Sequence, residues 1–473
     1  MDPDWPALRD HIRGDVLLPG EPAFEAAYRP VAPRFHHVRP RAVVRCVADA
    51  DVAVTLAFAR SAGLPLAIRS GGHSFEGAST TEGLLLDVSR MDAVLVPSGG
   101  GRVRVGGGAR LGVVYDALVP AGLTLPAGCG ADVGVAGLTL GGGFGVLGRA
   151  YGLTCDALVA ARVVLADGRV VDCDDELEPE LFWALRGGGN GTLGVVTQLV
   201  FTPVPAPAMT SFHLTWEPEH TAAVVAAWLA WAPDAPDTMA ASLVVSTAAD
   251  PALMPVTSVF GAAHGSPDGD LALLDAFADR VGEPPATRSH QHGSHRDTKR
   301  LLAALEVHGT PRRPDAHTHS RSEFFVRPLS PDTVDALLAH LTTDRRPGEE
   351  RALAFTPWAG AYNRVAPDAT AFPHRTQRFL LEHAVGVAAG AGAGERTAAR
   401  DWLDASFALT RPYGSGGAYP NFPDPNLDDP ARAYFGANAE RLRAAIRAYD
   451  PDGVFGAGLS GLDAAPRAGL PGA

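Results

Sequence analysis

Lysine is almost absent. The chain of 473 residues contains one, Lys299, and its other basic residues are arginines. A lysine Schiff base would therefore have to use Lys299, which sits in the polar stretch SHRDTKR, and no GxxxxGK[ST] phosphate loop exists. Cysteine is scarce too. Cys46, Cys129, Cys155 and Cys173 form no CxxC pair and read as reduced thiols of a cytoplasmic protein. No apolar run reaches the roughly 18 residues that a membrane span needs. The opening MDPDWPALRDHIRGD is charged and lacks the apolar centre of a signal peptide. Positive charge is in deficit, with 40 Lys+Arg against 53 Asp+Glu and a formal net charge of −13. With no basic stripe either, the chain offers nothing to a phosphate backbone, which excludes nucleic-acid binding. No internal repeat of fixed period is present.

What the chain does have is a 46% hydrophobic composition and 53 glycines. That suits a globular protein of two or three domains. Residues 42–70 read as strand, helix, strand: AVVRCV, DADVAVTLAFARSAG, then LPLAIRS. GLLLDVSRM and GRVRVGGGAR follow as strands, and LGVVYDALVPAG as a helix ending at Gly122. ALVAARVVLADGRVVDCD reads as two strands about an Asp167–Gly168 turn. EPELFWALRGGG is a short helix, and LGVVTQLVFTPVP a strand pair. Near Pro203–Pro207 the style changes. From about 208 to 405, strands such as SLVVST, SEFFVRPLS and RALAFTPWAG alternate with helices such as HTAAVVAAWLAW, LALLDAFADRV and PDTVDALLAHL. This predicts a second, α+β domain with helices on one face of a mixed sheet. After about 410, loops rich in glycine, proline and aromatics return, then a helix PARAYFGANAERLRAAIRAY and a frayed tail RAGLPGA.

Two stretches match GxGxxG, at Gly143–Gly148 and Gly189–Gly194. The motif carries weight only between a strand and a helix, with an acid some twenty residues on. Asp167 is at that spacing from the first match but lies in a hairpin turn, and the second match runs into the strand VVTQLVF. A nicotinamide Rossmann fold is therefore disfavoured.

The stretch RSGGHSFEG, Arg69–Gly77, sets His73 among glycines directly after a strand. Successive backbone N–H groups in such a turn make an anion-binding concavity suited to a diphosphate. A second glycine cluster runs from Gly128 to Gly145. Two glycine-rich surfaces in one domain point to a long, flat ligand held between them.

These stretches together carry a resemblance. IRSGGHSFEG, LPAGCGADVGVAGLTLGGGFGVLGRAYGLTCD, VVLADGRVVDCD, LFWALRGGGNGTLGVVT and YPNFPDPNLDDPARAYFGANAERLRAAIRAYDPDGVF resemble, in order, FAD-linked oxidases of the berberine bridge enzyme type, within the vanillyl-alcohol oxidase/p-cresol methylhydroxylase superfamily. The resemblance covers the first 205 and last 65 residues well and the middle in outline only. It implies an α+β fold with an FAD-binding domain in two parts, residues 1–205 (core about 36–205) and a C-terminal return at 409–473. Between them, residues 206–408 would form a substrate domain of mixed antiparallel sheet covered by helices.

The resemblance also implies site roles. FAD would be linked covalently to His73, with Arg69, Ser70, Gly71, Gly72 and Ser74 around it. Gly128, Val133, Gly134, Gly137, Gly142, Gly143, Gly145 and Val195 would line the cofactor. Many such oxidases add a second link from a cysteine. Without a gap that position is Gly130, and Cys129 is one residue early, so a single link is expected and a second through Cys129 stays open. Val133 beside the reactive face goes with oxygen access. Leu138 stands where some members have a histidine. Tyr419 is the first choice for a catalytic base, which for a tyrosine requires a lowered pKa. Asn421 would contact the flavin or its loop. Trp358 and Tyr362, on an expected strand, would line the substrate pocket, with Tyr362 a second candidate base and His374 and Arg375 supporting the loop. The histidines of SHQHGSH and HTHS (His290, His292, His295, His317, His319) lack partners for a metal site and are expected in solvated loop. The implied reaction passes hydride from an alcohol, sugar or activated C–H or C–N bond of a small molecule to FAD, with O2 reduced to H2O2. A dehydrogenase using another acceptor and a flavin-bearing binding protein are the alternatives. Substrate identity and oligomeric state are not indicated.

Overall fold

The computed structural model describes residues 3–99, 101–188, 191–309, 316–456 and 461–462. Gly189 and Asn190 of the second GxGxxG match, and the tail RAGLPGA, lie outside them.

Residues 42–70 form the expected unit: strand Ala42–Arg45, helix Asp49–Ser61 and strand Leu66–Arg69. Asp49 and Asp51 occupy the first helical turn, where the peptide dipoles favour negative charge, and Val52, Leu56 and Ala59 carry the helical period into the core. Both strands lie parallel to Leu84–Asp87, which runs between them, and Asp15–Leu17 adds an antiparallel edge. Ligands of open α/β sheets bind beyond the carboxyl ends of parallel strands. Arg69 passes the chain to the His73 loop at such an end.

A second, antiparallel sheet runs Val94–Leu95, Val103–Gly106, Val195–Phe201, Leu158–Val164, Val170–Cys173. Its last hairpin turns at Asp167–Gly168, where Gly168 has φ +87°, a conformation that a side chain resists. Val204–Pro205 does not continue this sheet. It pairs with Leu123–Thr124, so the two strands expected as a pair belong to different sheets.

The third unit is a seven-stranded antiparallel sheet in the order Thr287–Gly293, Met209–Trp216, Val256–Ala263, Met239–Thr247, Glu349–Pro357, Phe379–Ala388, Ala316–Phe325. Strand side chains alternate faces. Leu243, Val259, Phe355 and Leu381 point to one face and form a core with Trp228, Phe277, Leu337 and Trp402 of the covering helices. The other face carries Val244, Phe260, Ala354 and Glu382 toward a cavity.

The chain then returns. Residues 415–418 run beside Ala316–Phe325, with Ser415 N–H donating to Phe324 O at 2.8 Å and Phe324 N–H to Gly417 O at 2.9 Å. The last helices bury Ala431, Leu442 and Ile446 in the same core as Leu181 and Phe182 of the N-terminal region. The single helix expected over 430–449 is broken: Gly436, at φ +51°, separates Pro430–Phe435 from Ala439–Tyr449 by a 3-10 turn.

Three further expectations are corrected. Trp358 and Tyr362 lie past the strand Glu349–Pro357, because Ala359 takes φ +76° and turns the chain into the 3-10 segment Gly360–Asn363. The histidine run is not solvated loop. His290 and His292 sit on an edge strand, His295 opens the helix His295–Gly309 and is buried, and His317 and His319 lie within Ala316–Phe325. Lys299, read as part of a polar stretch, is buried. Among the described residues, no group of three or more His, Cys, Asp or Glu side chains could hold a metal ion, and no helix is long and apolar enough to cross a membrane.

Arg149 joins the two halves. Its buried guanidinium donates to Trp358 O (2.5 Å), Ala235 O (2.5 Å) and Pro233 O (3.2 Å). Arg149→Met leaves these three buried carbonyls without donors, at about 1 kcal/mol or more each. A stability loss of about 3 kcal/mol is expected in urea unfolding, and a midpoint equal to wild type would contradict the clamp.

Candidate active site

A cavity of about 720 Å³ lies between the two glycine-rich loops, the open face of the seven-stranded sheet and the returning C-terminal segment. Of the residues anticipated from sequence, Ser70–Ser74, Gly128, Cys129, Val133, Gly134, Gly137, Gly145, Tyr362, Tyr419 and Asn421 line it. Gly130 and Leu138 do too. Arg69, Gly142, Gly143 and Val195 do not. The Arg69 guanidinium is buried beneath the loop, donating to Ala27 O (2.6 Å), Tyr28 O (2.7 Å) and Ser79 O (2.9 Å). Val195 is core, and Gly142 packs on Phe372.

The loops are glycine-rich for two distinct reasons. At Gly71 and Gly134 the two backbones meet. A Cβ on Gly71 would overlap the Gly134 nitrogen, and one on Gly134 would overlap the Gly71 nitrogen and the Ser70 hydroxyl. That hydroxyl donates to Gly107 O at 2.8 Å. At Gly137 no atom lies within 4 Å of a built Cβ, and at Gly128 none lies closer than 3.6 Å. Gly137 thus leaves room for a ligand against bare backbone, whereas a Cβ at Gly128 would already touch Phe144 O and Leu138.

His73 stands at the join. Burial lowers its pKa, with Arg110 adding to the effect and Asp132 opposing it, so the imidazole is neutral near pH 7. Its ring bonds the backbone of Asp132, while the buried Nε2 has no hydrogen-bond partner. A buried, unpartnered, neutral nitrogen at a cavity edge is costly unless something meets it.

Tyr419 and Tyr362 are fully buried in an aromatic cluster with Phe144, Trp358 and Phe372. Tyr419 Oη accepts from Gly143 N–H and from the Asn421 amide, each at 3.1 Å, and that amide also donates to Leu138 O at 2.9 Å. Tyr362 Oη donates to Gly145 O at 3.1 Å, and its ring stacks 4.5 Å from Trp358. Burial pushes both phenols above their ordinary range; the two donors to Tyr419 offset this only in part. This direction is opposite to the one that a tyrosine base requires.

His374 and Arg375 lie behind the cavity. Burial pushes His374 down to about 4, and its Nε2 lies 3.0 Å from Tyr434 O. Arg375 makes a bidentate pair with Asp156 at 2.7 and 2.8 Å.

Cys129 is buried, and its surroundings are apolar, including Leu147, Met209 and Val244. Burial raises the thiol to about 12, with Lys299 opposing and Glu306 adding. It is a thiol, not a thiolate, at neutral pH.

The sequence reading missed Glu382. This carboxylate lines the cavity on the strand Phe379–Ala388, is 5% exposed, and stands in register with Ala354 on one side and Ser322 on the other. The signal is visible afterwards in FLLEHAVGVA, two adjacent polar residues inside an apolar strand. Period two sends Glu382 to the cavity and His383 to the helical face, where Nδ1 lies 2.8 Å from Ser406 Oγ.

Comparison with known proteins follows the same outline. A model described as "FAD binding domain" matches residues 40–174, and one described as "Berberine and berberine like" matches residues 418–460. An uncharacterized FAD-linked oxidoreductase of Bacillus subtilis, YgaK, is 32% identical over 424 residues, covering 88% of this chain and 90% of that one. (R)-6-hydroxynicotine oxidase of Paenarthrobacter nicotinovorans is 37% identical over 209 residues, covering 44% of this chain and 45% of that one. The solved structure of Physcomitrella patens BBE-like 1 superposes with a TM-score of 0.84 at 24% identity, covering 95% of this chain and 97% of that one.

The Gly71–Gly134 contact carries a direct expectation. Gly71→Ala must part the two loops, since the added Cβ meets backbone that cannot rotate away. Purified Gly71→Ala should lose most of its bound yellow cofactor; retention at the wild-type ratio would show that the contact does not shape the cavity.

Proposed function

The chain belongs to the FAD-linked oxidoreductases of the berberine bridge enzyme-like family, and from that premise we propose an oxidase whose FAD is tethered to His73 and whose substrate enters from the side of Glu382. The observation that carries this reading is the opposition of two groups across one cavity: a neutral imidazole with an unpartnered Nε2 on the loop wall, and a buried carboxylate on the sheet wall. The residues fit the group. Bare backbone at Gly137 leaves space for a flat ring, and the His73 loop leaves the carboxyl end of a parallel strand, where a diphosphate is favoured.

Bound FAD supplies a two-electron acceptor. The rest falls to the protein. His73 holds the cofactor through its free nitrogen, and its neutrality keeps that nitrogen's lone pair available. Asn421 ties the C-terminal return to Leu138 and Tyr419, which fixes the aromatic cluster beside the cavity. Glu382 accepts the proton from a substrate O–H or N–H as the neighbouring C–H leaves as hydride. The substrate thus loses one hydride and one proton, and O2 takes up two electrons and two protons to become H2O2. Val133 at the cavity wall supports oxygen access, in keeping with the family resemblance. Substrates are small alcohols, sugars or amines of the kind that natural-product and carbohydrate oxidation provides. Four buried, free cysteines support the cytoplasmic reading.

The second reading, Tyr419 as base, is favoured by its place beside the cavity and opposed by its raised pKa. Glu382→Gln keeps shape and removes the proton acceptor. It is expected to slow anaerobic bleaching of the flavin by about 10²–10⁴-fold, with Tyr419→Phe affecting it less. The reverse ranking would give the base to Tyr419. Hydrogen peroxide formed one-for-one with oxidised substrate supports the oxidase; a reduced protein inert to O2 would make it a dehydrogenase.

A further inference from the structure

The only lysine in the chain is fully enclosed. Lys299 is 3% exposed, on a helix that docks against the N-terminal region through His295 and Thr124 (3.4 Å) and through Arg296 and Asp116 (2.5 Å). Its Nζ donates to Ala127 O, to Gly128 O at 3.2 Å and to Tyr115 Oη at 3.3 Å. Tyr115 gives its own proton to Gly128 O at 2.6 Å, so its oxygen accepts from Lys299. Three acceptors require three N–H donors. An ammonium has three and a neutral amine two, so this geometry selects the charged form. Burial acts against the charge, while Glu306 acts for it. His295, one turn earlier, is held neutral by burial and by Lys299 itself, at about 3.

This charge lies directly behind the cavity. Gly128, Cys129 and Gly130 line it, and the same segment continues to Asp132 and Gly134, which touch His73 and Gly71. A fixed charge in such a poorly solvated place acts further than it would in water. We propose that Lys299 is a positioning residue with an electrostatic role: it pins the carbonyls of Ala127 and Gly128 on its own side of the wall, and its ammonium stabilises the reduced, negatively charged form of a flavin held by His73. The inference rests on the functional reading above.

Because Lys299 is unique, protein grown on ¹³Cε,¹⁵Nζ-lysine gives one side-chain resonance. The expected signal is that of an ammonium, constant between about pH 6 and 9, and it shifts when the bound flavin is reduced with dithionite. A neutral amine at pH 7, or a signal indifferent to reduction, would overturn the proposal without any mutation. The variants add a second readout. Lys299→Met is expected to make reduction of the bound flavin at least tenfold less favourable, ~30 mV for a two-electron couple, and Lys299→Arg to restore part of that. An unchanged potential in Lys299→Met would also overturn it. Wild-type protein that carries no flavin would instead overturn the functional reading. Bound flavin with an unmoved resonance and potential would overturn the role of Lys299 alone.

Discussion

Two glycines pressed backbone to backbone hold the site together. Gly71 and Gly134 come from segments some sixty residues apart, and neither tolerates a Cβ where they meet. Their contact brings the loop that follows a parallel strand against the loop that opens the second glycine cluster. His73 then sits beside Asp132, Ser70 reaches Gly107, and the cavity acquires a continuous wall. The remaining elements are arranged around this join. The helix bearing Lys299 backs the wall, the seven-stranded sheet faces it, and the C-terminal return closes the gap with Tyr419 and Asn421.

The sheet contributes through its period of two. One face is committed to a helix-covered core, which leaves the other, a mixture of apolar residues such as Val244 and Phe260 with Glu382, free to line the cavity. Ala354 and Ser322 flank Glu382 in register and leave the carboxylate room, while Leu381 and His383 on either side serve the opposite face. This places Glu382 in the cavity wall, where a substrate can reach a buried carboxyl group.

Much of this was legible in the sequence, and the limits have physical causes. Segments with strong local signals were found: the strand–helix–strand at 42–70, the Asp-Gly hairpin, and the helices on the sheet. The glycine-flanked histidine and its partner cluster were recognisable as motifs. Their lining of one cavity follows from packing that no local rule contains. Where a single backbone choice decides, the reading failed. Ala359 at positive φ ends the strand before Trp358, and Gly436 breaks the last helix. Lys299 and His295 looked polar because their neighbours are, yet the period of the helix turns both inward. Glu382 was missed for the same reason: a lone charge in an apolar strand becomes meaningful only once the sheet's two faces are known. Both tyrosines line the cavity, and burial acts to raise their pKa values, which no sequence pattern shows.

The central claim is that the unpartnered nitrogen of His73 carries the cofactor. Trypsin should release residues 70–90 as one peptide, since Arg69 and Arg90 bound a stretch without internal arginine or lysine. Mass spectrometry of the denatured, digested protein tests the claim most directly. The account predicts that this peptide is heavier by one FAD, with the added mass on His73 and none on the peptide containing Cys129. An unmodified peptide, with all FAD released on denaturation, would contradict it.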